Sequence, residues 1–323
     1  MNTLLDPAIL FFVFGVLAGA FKSNLEIPRS IAKFLSLYLL MALGLKGGFA
    51  LAKSGIDTSI AISLGAAFFM AFLVPTLGYA LLKNRIARFD AAAVAAAYGS
   101  VSAVTFVTAT QFLEASGLTF GGHMTVAMVI MESPAIIMAV LLANANRQRL
   151  NQQGQGSAGQ FSLGKILHES FTDGAHLLLI GSMIIGYVGG EAGKTMMQPF
   201  AGDLFKGLLA FFLLDMGLMV ARNFSQARKT SAFLLVYAGV GPWVHAALAL
   251  ALAAVLKMPV ADAAMLMVLS ASASYIVVPA VLRYAIPEAN PSLYFGLSLG
   301  ITFPMNILFG IPLYIHVAQL VLG

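Results

Sequence analysis

Two hydroxyl-rich clusters interrupt otherwise apolar sequence, and they hold the residues best suited to chemistry. The first, AAAVAAAYGSVSAVTFVTATQF, places Tyr98, Gly99, Ser100, Ser102, Thr105, Thr108 and Thr110 within one apolar run. The second, MLMVLSASASYIVVPAVL, places Ser270, Ser272, Ser274 and Tyr275 shortly before Pro279. Hydroxyls offer oxygen lone pairs to a hard cation such as sodium and O–H donors to an anion. The competing reading is that they bond back to their own helix and permit close packing. Two matching clusters favour binding over that alternative. Glu132 is the most informative charge, because a carboxylate amid apolar sequence is costly to place in hydrocarbon. It stands two residues before Pro134, as Thr302 stands before Pro304, and Asn306 adds an amide oxygen. Glu132, Ser100, Ser270, Thr302 and Asn306 are therefore candidate sodium ligands. The alternative for Glu132 is a carboxyl held neutral or paired for structural reasons.

The other polar residues support simpler readings. Lys46 and Asp215 fall in related apolar stretches and read as a structural ion pair. Asp90 and Asp262 precede Ala-rich helices, where N-capping accounts for them. His168 and His176 lie near a membrane boundary, His123 lies beside Gly121-Gly122, and His245 and His316 lack ligand-like spacing. No metal constellation forms. Gly47-Gly48 permits close helix packing. The chain contains no Walker loop, paired basic clamp or Ser–His–Asp order, which argues against ATP hydrolysis and against an enzyme.

Membrane helices must position these groups. The chain has 323 residues, 60% hydrophobic and only 10% charged, with a mean hydropathy of +0.91. A soluble domain carries about a quarter charged residues. Eighteen Lys/Arg and 13 Asp/Glu cannot solvate the surface of a 34 kDa protein in water. An ordinary soluble enzyme, a disordered chain and a nucleic-acid-binding domain are thereby excluded. The pI is near 9.4, but the basic residues are dispersed and form no stripe. Zero cysteines removes disulfides, thiolate metal sites and cysteine nucleophiles.

A crossing needs about 20 mostly apolar residues. Ten such stretches occur, at 7–21, 31–52, 58–82, 91–113, 122–144, 173–189, 203–221, 231–256, 261–283 and 293–320. Continuous apolarity, without strand-like alternation, selects helices over a β-barrel. The first stretch lacks a basic n-region and reads as a retained helix. Loops after odd-numbered stretches hold 13 Lys/Arg, against four in the other loops and termini. That bias predicts both termini outside and the 146–164 loop in the cytoplasm.

The 146–164 stretch is rich in Gln, Gly and Ser and reads as a flexible linker between halves 1–145 and 165–323. The halves share landmarks in the same order. Asp6 matches Asp173, Gly44 matches Gly217, Pro75 matches Pro242, Asp90 matches Asp262, and Pro134 matches Pro304, at offsets of 167, 173, 167, 172 and 170. Five spans per half is an odd number, so the second copy enters the bilayer from the opposite side. This predicts an all-α membrane protein of ten helices in two inverted five-helix repeats, an architecture of secondary transporters. In such proteins, sites lie where matching helices break, here spans 4 and 9 with their hydroxyl clusters.

At these motifs the chain resembles the sodium-dependent bicarbonate permease family, known from cyanobacterial carbon-concentrating systems. The resemblance is carried by GLKGGFAL (44–51), GSVSAVT (99–105), MESPAI (131–136), MGLMVA (216–221) and LRYAIPEANPS (282–292). It implies sodium-coupled bicarbonate uptake by a homotrimer in the bacterial inner membrane. It also implies an elevator-like motion of a core domain, holding broken helices 4 and 9, against a gate domain. By the same resemblance the anion lies at Gly99, Ser102, Ala103, Val104, Thr105, Ser272 and Ser274, with sodium as the coupling ion. Glu132 stands where cyanobacterial members have an aspartate. This chain departs from them in carrying Ala103-Val104 for Gly-Ser and Tyr275 for an aspartate. A small PII-like cytoplasmic regulator is the partner the family suggests, and the short cytoplasmic loop speaks against it. The residues themselves leave open another small or organic anion, as in the structurally similar bile-acid symporters, and a passive anion channel. An intramembrane hydrolase would need a nucleophile–base pair that the sequence does not show.

Overall fold

Residues 6–55, 58–152, 174–227 and 230–323 are described by the computed structural model. They contain helices and no strand, as expected where each backbone polar group must be satisfied within its own segment. The helices are α1 (Pro7–Ala20), α2 (Arg29–Ser54), α3 (Thr58–Leu82), α4 (Arg88–Gly99), α5 (Ala103–Ala115) and α6 (His123–Gln152). They continue with α7 (Gly174–Met197), α8 (Leu204–Ala227), α9 (Ala232–Val255), α10 (Val260–Ala271), α11 (Val277–Ala285) and α12 (Pro291–Leu322). Among the described residues, seven segments are long and apolar enough to cross a membrane by length and composition, and α1 and α10 are shorter apolar helices. The chain is an integral, multi-pass, all-helical membrane protein. Stretches 91–113 and 261–283 are each divided, into α4–α5 and α10–α11.

One apolar run, Leu177–Phe224, is 48 residues long. As a straight helix it would reach about 70 Å, more than twice the hydrocarbon thickness of about 30 Å. It is broken by Gly190, whose φ of 53° suits glycine, and by a π-helical segment at Gln198–Asp203. The most extensive pairings are α2 on α7 and α1 on α8. Glycines permit both: a Cβ on Gly48 would overlap the Met183 carbonyl, and one on Gly217 would overlap the Phe12 carbonyl. Gly65 of α3 has open space around its Cβ position. Gly48→Ala is expected to destabilise the protein by about 1–3 kcal/mol through overpacking. Gly65→Ala should be neutral or stabilising by up to about 1 kcal/mol. Thermal unfolding in detergent checks both, and equal melting temperatures would contradict the packing.

Two local expectations are corrected. Asp90 and Asp262 are not N-caps; Ala87 and Pro259 hold those positions, without side-chain bonds. Each aspartate sits at the third helical residue and accepts from a distant loop amide. Asp90 Oδ1 accepts from Asn290 N–H at 2.7 Å, before α12. Asp262 Oδ1 accepts from Gly121 N–H at 2.7 Å, before α6. Residues 146–152, expected at the start of the linker, continue α6, and Asn146 and Arg147 are buried. Positions 153–164, with Lys165, His168, Asp173, Arg228 and Lys229, lie outside the described residues.

Candidate functional site

The two divided helices meet at their breaks. After Gly99 the chain extends, with Ser100 at φ −95°, ψ 177° and Ser102 at φ −106°, ψ 110°. Gly99 is required by proximity, since a Cβ there would lie 2.6 Å from the Pro75 ring of α3. Ser102 Oγ then accepts Thr105 N–H at 3.2 Å and caps α5. In the second half Ser272 is extended at φ −82°, ψ 165°, and α11 begins at Val277. Pro279 falls in the first turn of α11, where its missing N–H costs nothing. Its ring would clash with a helical carbonyl four residues earlier, which disfavours a continuous helix from α10 into α11. Ser274 Oγ accepts Val278 N–H at 3.3 Å.

Hydrogen bonds between the breaks replace those lost within the helices. Ser102 N–H donates to Ser272 Oγ at 3.0 Å, and Ser274 N–H donates to Ala97 O at 2.7 Å. Ser272 Oγ donates in turn to Leu269 O at 2.8 Å. A cavity of about 70 Å³ opens beside this junction. Ser102, Ala103 and Val104 line it from the first break, and Ser274, Tyr275 and Ile276 line it from the second. Glu132 and Met128 of α6 face it too, as do Ser36 and Leu40 of α2 and Leu179 of α7. The N-termini of α5 and α11 both border the cavity. First-turn amides have no acceptor within their own helix, and the aligned dipoles place partial positive charge there. Ser102 and Ser274 already cap Thr105 N–H and Val278 N–H and Pro279 has none, so the first-turn amides at the cavity that suit an anion are those of Ala103, Val104 and Val277.

The sequence model of the Na+-dependent bicarbonate transporter superfamily matches residues 7–319, nearly the whole chain. The chain belongs to that superfamily. A comparison with curated proteins finds no match. Membership in the Na+-dependent bicarbonate transporter superfamily points to a transporter and not an enzyme, and to sodium and bicarbonate as the family's solutes. Within this superfamily member, Ser102, Ala103, Val104, Ser274 and Glu132 line the cavity. Gly99, Thr105 and Ser272 are buried and do not line it.

The candidate sodium ligands are spread around the junction. Ser100 Oγ and Ser270 Oγ are buried with no hydrogen-bond partner among the described residues. Thr302 Oγ1 lies 2.7 Å from Tyr98 Oη and donates to Ala238 O at 2.9 Å. Asn306 donates to Ala271 O at 2.8 Å and accepts from Tyr314 Oη at 3.0 Å. Both α12 side chains thus tie that helix to its neighbours. Two π-helical segments, Ser298–Thr302 and Asn306–Gly310, flank Pro304. Among the described residues no group of three His, Asp or Glu could hold a metal ion.

The expected Lys46–Asp215 pair is replaced by another. Lys46 Nζ lies 3.0 Å from Glu114 Oε1 at the end of α5 and 4.4 Å from the Phe205 ring centre. The reason is packing: α2 lies mainly along α7, while Asp215 belongs to α8, which lies along α1. Ser36, Leu40, Met128 and Leu179 went unread as site residues. Ser36 and Leu40 share a helix face four residues apart, but nothing in an apolar run marks them as lining a cavity.

Proposed function

We propose that the chain is a sodium-coupled symporter that imports a small anion, bicarbonate being the family's solute, by alternating access. The observation that carries this is the cavity bordered by two half-helix N-termini, with Glu132 and three serines, Ser36, Ser102 and Ser274, on its wall. Sodium would be held by Glu132 with the unpartnered hydroxyls of Ser100 and Ser270. Thr302 and Asn306 join only by exchanging present hydrogen bonds. The anion would sit at Ser102, Ala103, Val104 and Ser274, with Gly99, Thr105 and Ser272 holding the breaks open.

The reading includes two inverted five-helix repeats, 1–145 and 165–323. Matched landmarks doing matched work support it. Gly44 and Gly217 both sit at backbone contacts, and Asp90 and Asp262 each hold the loop entering a helix of the opposite half. The extensive α1–α8 and α2–α7 pairings suit a gate unit, against which α3–α6 and α9–α12 would move as a core. Lys46–Glu114 crosses between these units and would part during the motion. A homotrimer in the bacterial inner membrane, with both termini outside, completes the proposal. A PII-like regulator remains the family's suggestion for a cytoplasmic partner.

The test is uptake of labelled bicarbonate into proteoliposomes. An inward sodium gradient should drive accumulation without ATP, and choline in its place should remove it. Equal flux in sodium and choline would overturn the coupling.

A further inference from the structure

A buried tyrosine at the cavity spends a strong donor on a weak acceptor. Tyr275 stands in the second break between Ser274 and Ile276, lines the cavity and is 3% exposed. Its ring packs edge-on against Phe303 of α12, with 5.1 Å between ring centres, which fixes its direction. The side chain of Ser102, a lining residue of the first break, lies within hydrogen-bonding reach of its hydroxyl. The ring therefore crosses from one break to the other along the cavity wall. Its phenolic proton goes to Met216 Sδ of α8, at 3.9 Å.

That acceptor is poor. A thioether accepts weakly, whereas buried donors normally find oxygen. The neighbouring hydroxyls are engaged with backbone: Ser272 Oγ donates to Leu269 O, while Ser102 Oγ and Ser274 Oγ accept the Thr105 and Val278 amides. An anion oxygen in the cavity offers the Tyr275 proton a charged acceptor, and charge-assisted bonds are about twice as strong as neutral ones. The hydroxyl turns about its own C–O bond, so the proton can change acceptors with the ring held in place.

We propose that Tyr275 is an anion-binding residue, whose hydroxyl leaves Met216 and donates to the bound anion. The proposal rests on the symporter reading and adds a side-chain donor to its anion site, independent of the helix ends. Met216 belongs to the gate unit and Tyr275 to the core. The same exchange therefore removes a polar contact between the two units as the anion loads.

The experiment uses the full-length protein in proteoliposomes, with labelled bicarbonate at fixed pH and a fixed inward sodium gradient. Tyr275→Phe keeps the ring and loses only the hydroxyl. It should raise the half-saturating bicarbonate concentration about ten- to a hundredfold, with the maximal rate within about threefold of wild type. Met216→Leu keeps the volume and removes the competing sulfur. It should lower that concentration about two- to fivefold, and should have no effect in the Tyr275→Phe background. Thermal stabilisation in detergent by bicarbonate reads binding without transport, and should be weaker in Tyr275→Phe and stronger in Met216→Leu. A wild-type bicarbonate constant in Tyr275→Phe, or a shift confined to the sodium constant, would overturn the anion assignment and leave the symporter standing. If Tyr275→Phe does not fold, Met216→Leu still decides, since an unchanged or raised bicarbonate constant there would overturn the exchange. Sodium-independent flux in the wild-type protein, with bicarbonate stabilisation still graded across the variants, would overturn the symporter reading and keep Tyr275 at the site.

Discussion

Arg147→Met is expected to destabilise the protein by about 3 kcal/mol, the low end of the range for breaking a buried ion pair. Arg147 is 2% exposed at the end of α6, yet its guanidinium is fully engaged. Nε and Nη2 donate to Glu288 Oε1 and Oε2 at 2.7 and 2.6 Å. Nη1 donates to Asn144 Oδ1 at 2.9 Å, and Nη2 also reaches Ala285 O at 3.0 Å. The bidentate fork joins α6 to the α11–α12 loop. Methionine would fill much of the volume but remove the opposite charge from Glu288 and the donor from the Ala285 carbonyl. The low end applies because the Glu288 side chain is 29% exposed, so water recovers part of the loss. The double variant Arg147→Met with Glu288→Met should regain part of the stability, since replacing both charges removes the unpaired one.

The same pair has an acid signature. Burial pushes the Glu288 carboxyl up, but the Arg147 hydrogen bonds and charge outweigh it, so the group titrates below its ordinary 4.5. A depressed folded-state value means stability that is present above the unfolded value and lost as pH falls through the folded one. Wild-type melting temperature should therefore drop as pH falls from the ordinary carboxylate range. Arg147→Met should start lower and lose less over that interval. Parallel curves for the two proteins would contradict a charge-bearing role for the pair.

Arg147 also shows where sequence reading stops. It opens a polar, low-complexity stretch, and composition alone sends it to solvent. Its burial depends on Glu288, 141 residues away, which no local pattern encodes. The same holds for Asp90 and Asp262. Their position near helix starts was legible, but the loop amides they hold lie 200 and 141 residues distant. Lys46 was readable as a charge needing a partner; the partner depended on which helices pack together. The breaks were more visible, because Gly99 and the serine runs weaken a helix locally and Pro279 blocks one. Glu132 stood out as an isolated charge. Leu40 and Leu179 did not, since they resemble every other leucine in the membrane until the cavity is assembled around them.

Filling that cavity should abolish transport. The indole of Ser102→Trp or Ser274→Trp exceeds a space of about 70 Å³, so it would occupy the anion's place or force the breaks apart. Alanine at the same positions is the finer probe. A hydrogen bond to a charged group contributes about 1.5–3 kcal/mol and a neutral one about 0.5–1.5. At 1.4 kcal/mol per decade, each alanine should raise the apparent substrate constant by a few-fold to tenfold or more. Ser102 carries a second duty, because its Oγ caps α5 at Thr105, so Ser102→Ala should also lose about 1 kcal/mol of stability. Ser274→Ala loses the corresponding bond to Val278. Capping alone predicts lower melting temperatures with unchanged transport constants in whatever protein survives. Anion binding predicts that the constants move as well, and that the double alanine variant departs from the sum of the singles, because residues in one site couple. Proteoliposome uptake measured beside detergent melting separates the two duties: wild-type substrate constants in both alanine variants would leave these serines as caps and remove them from the anion site.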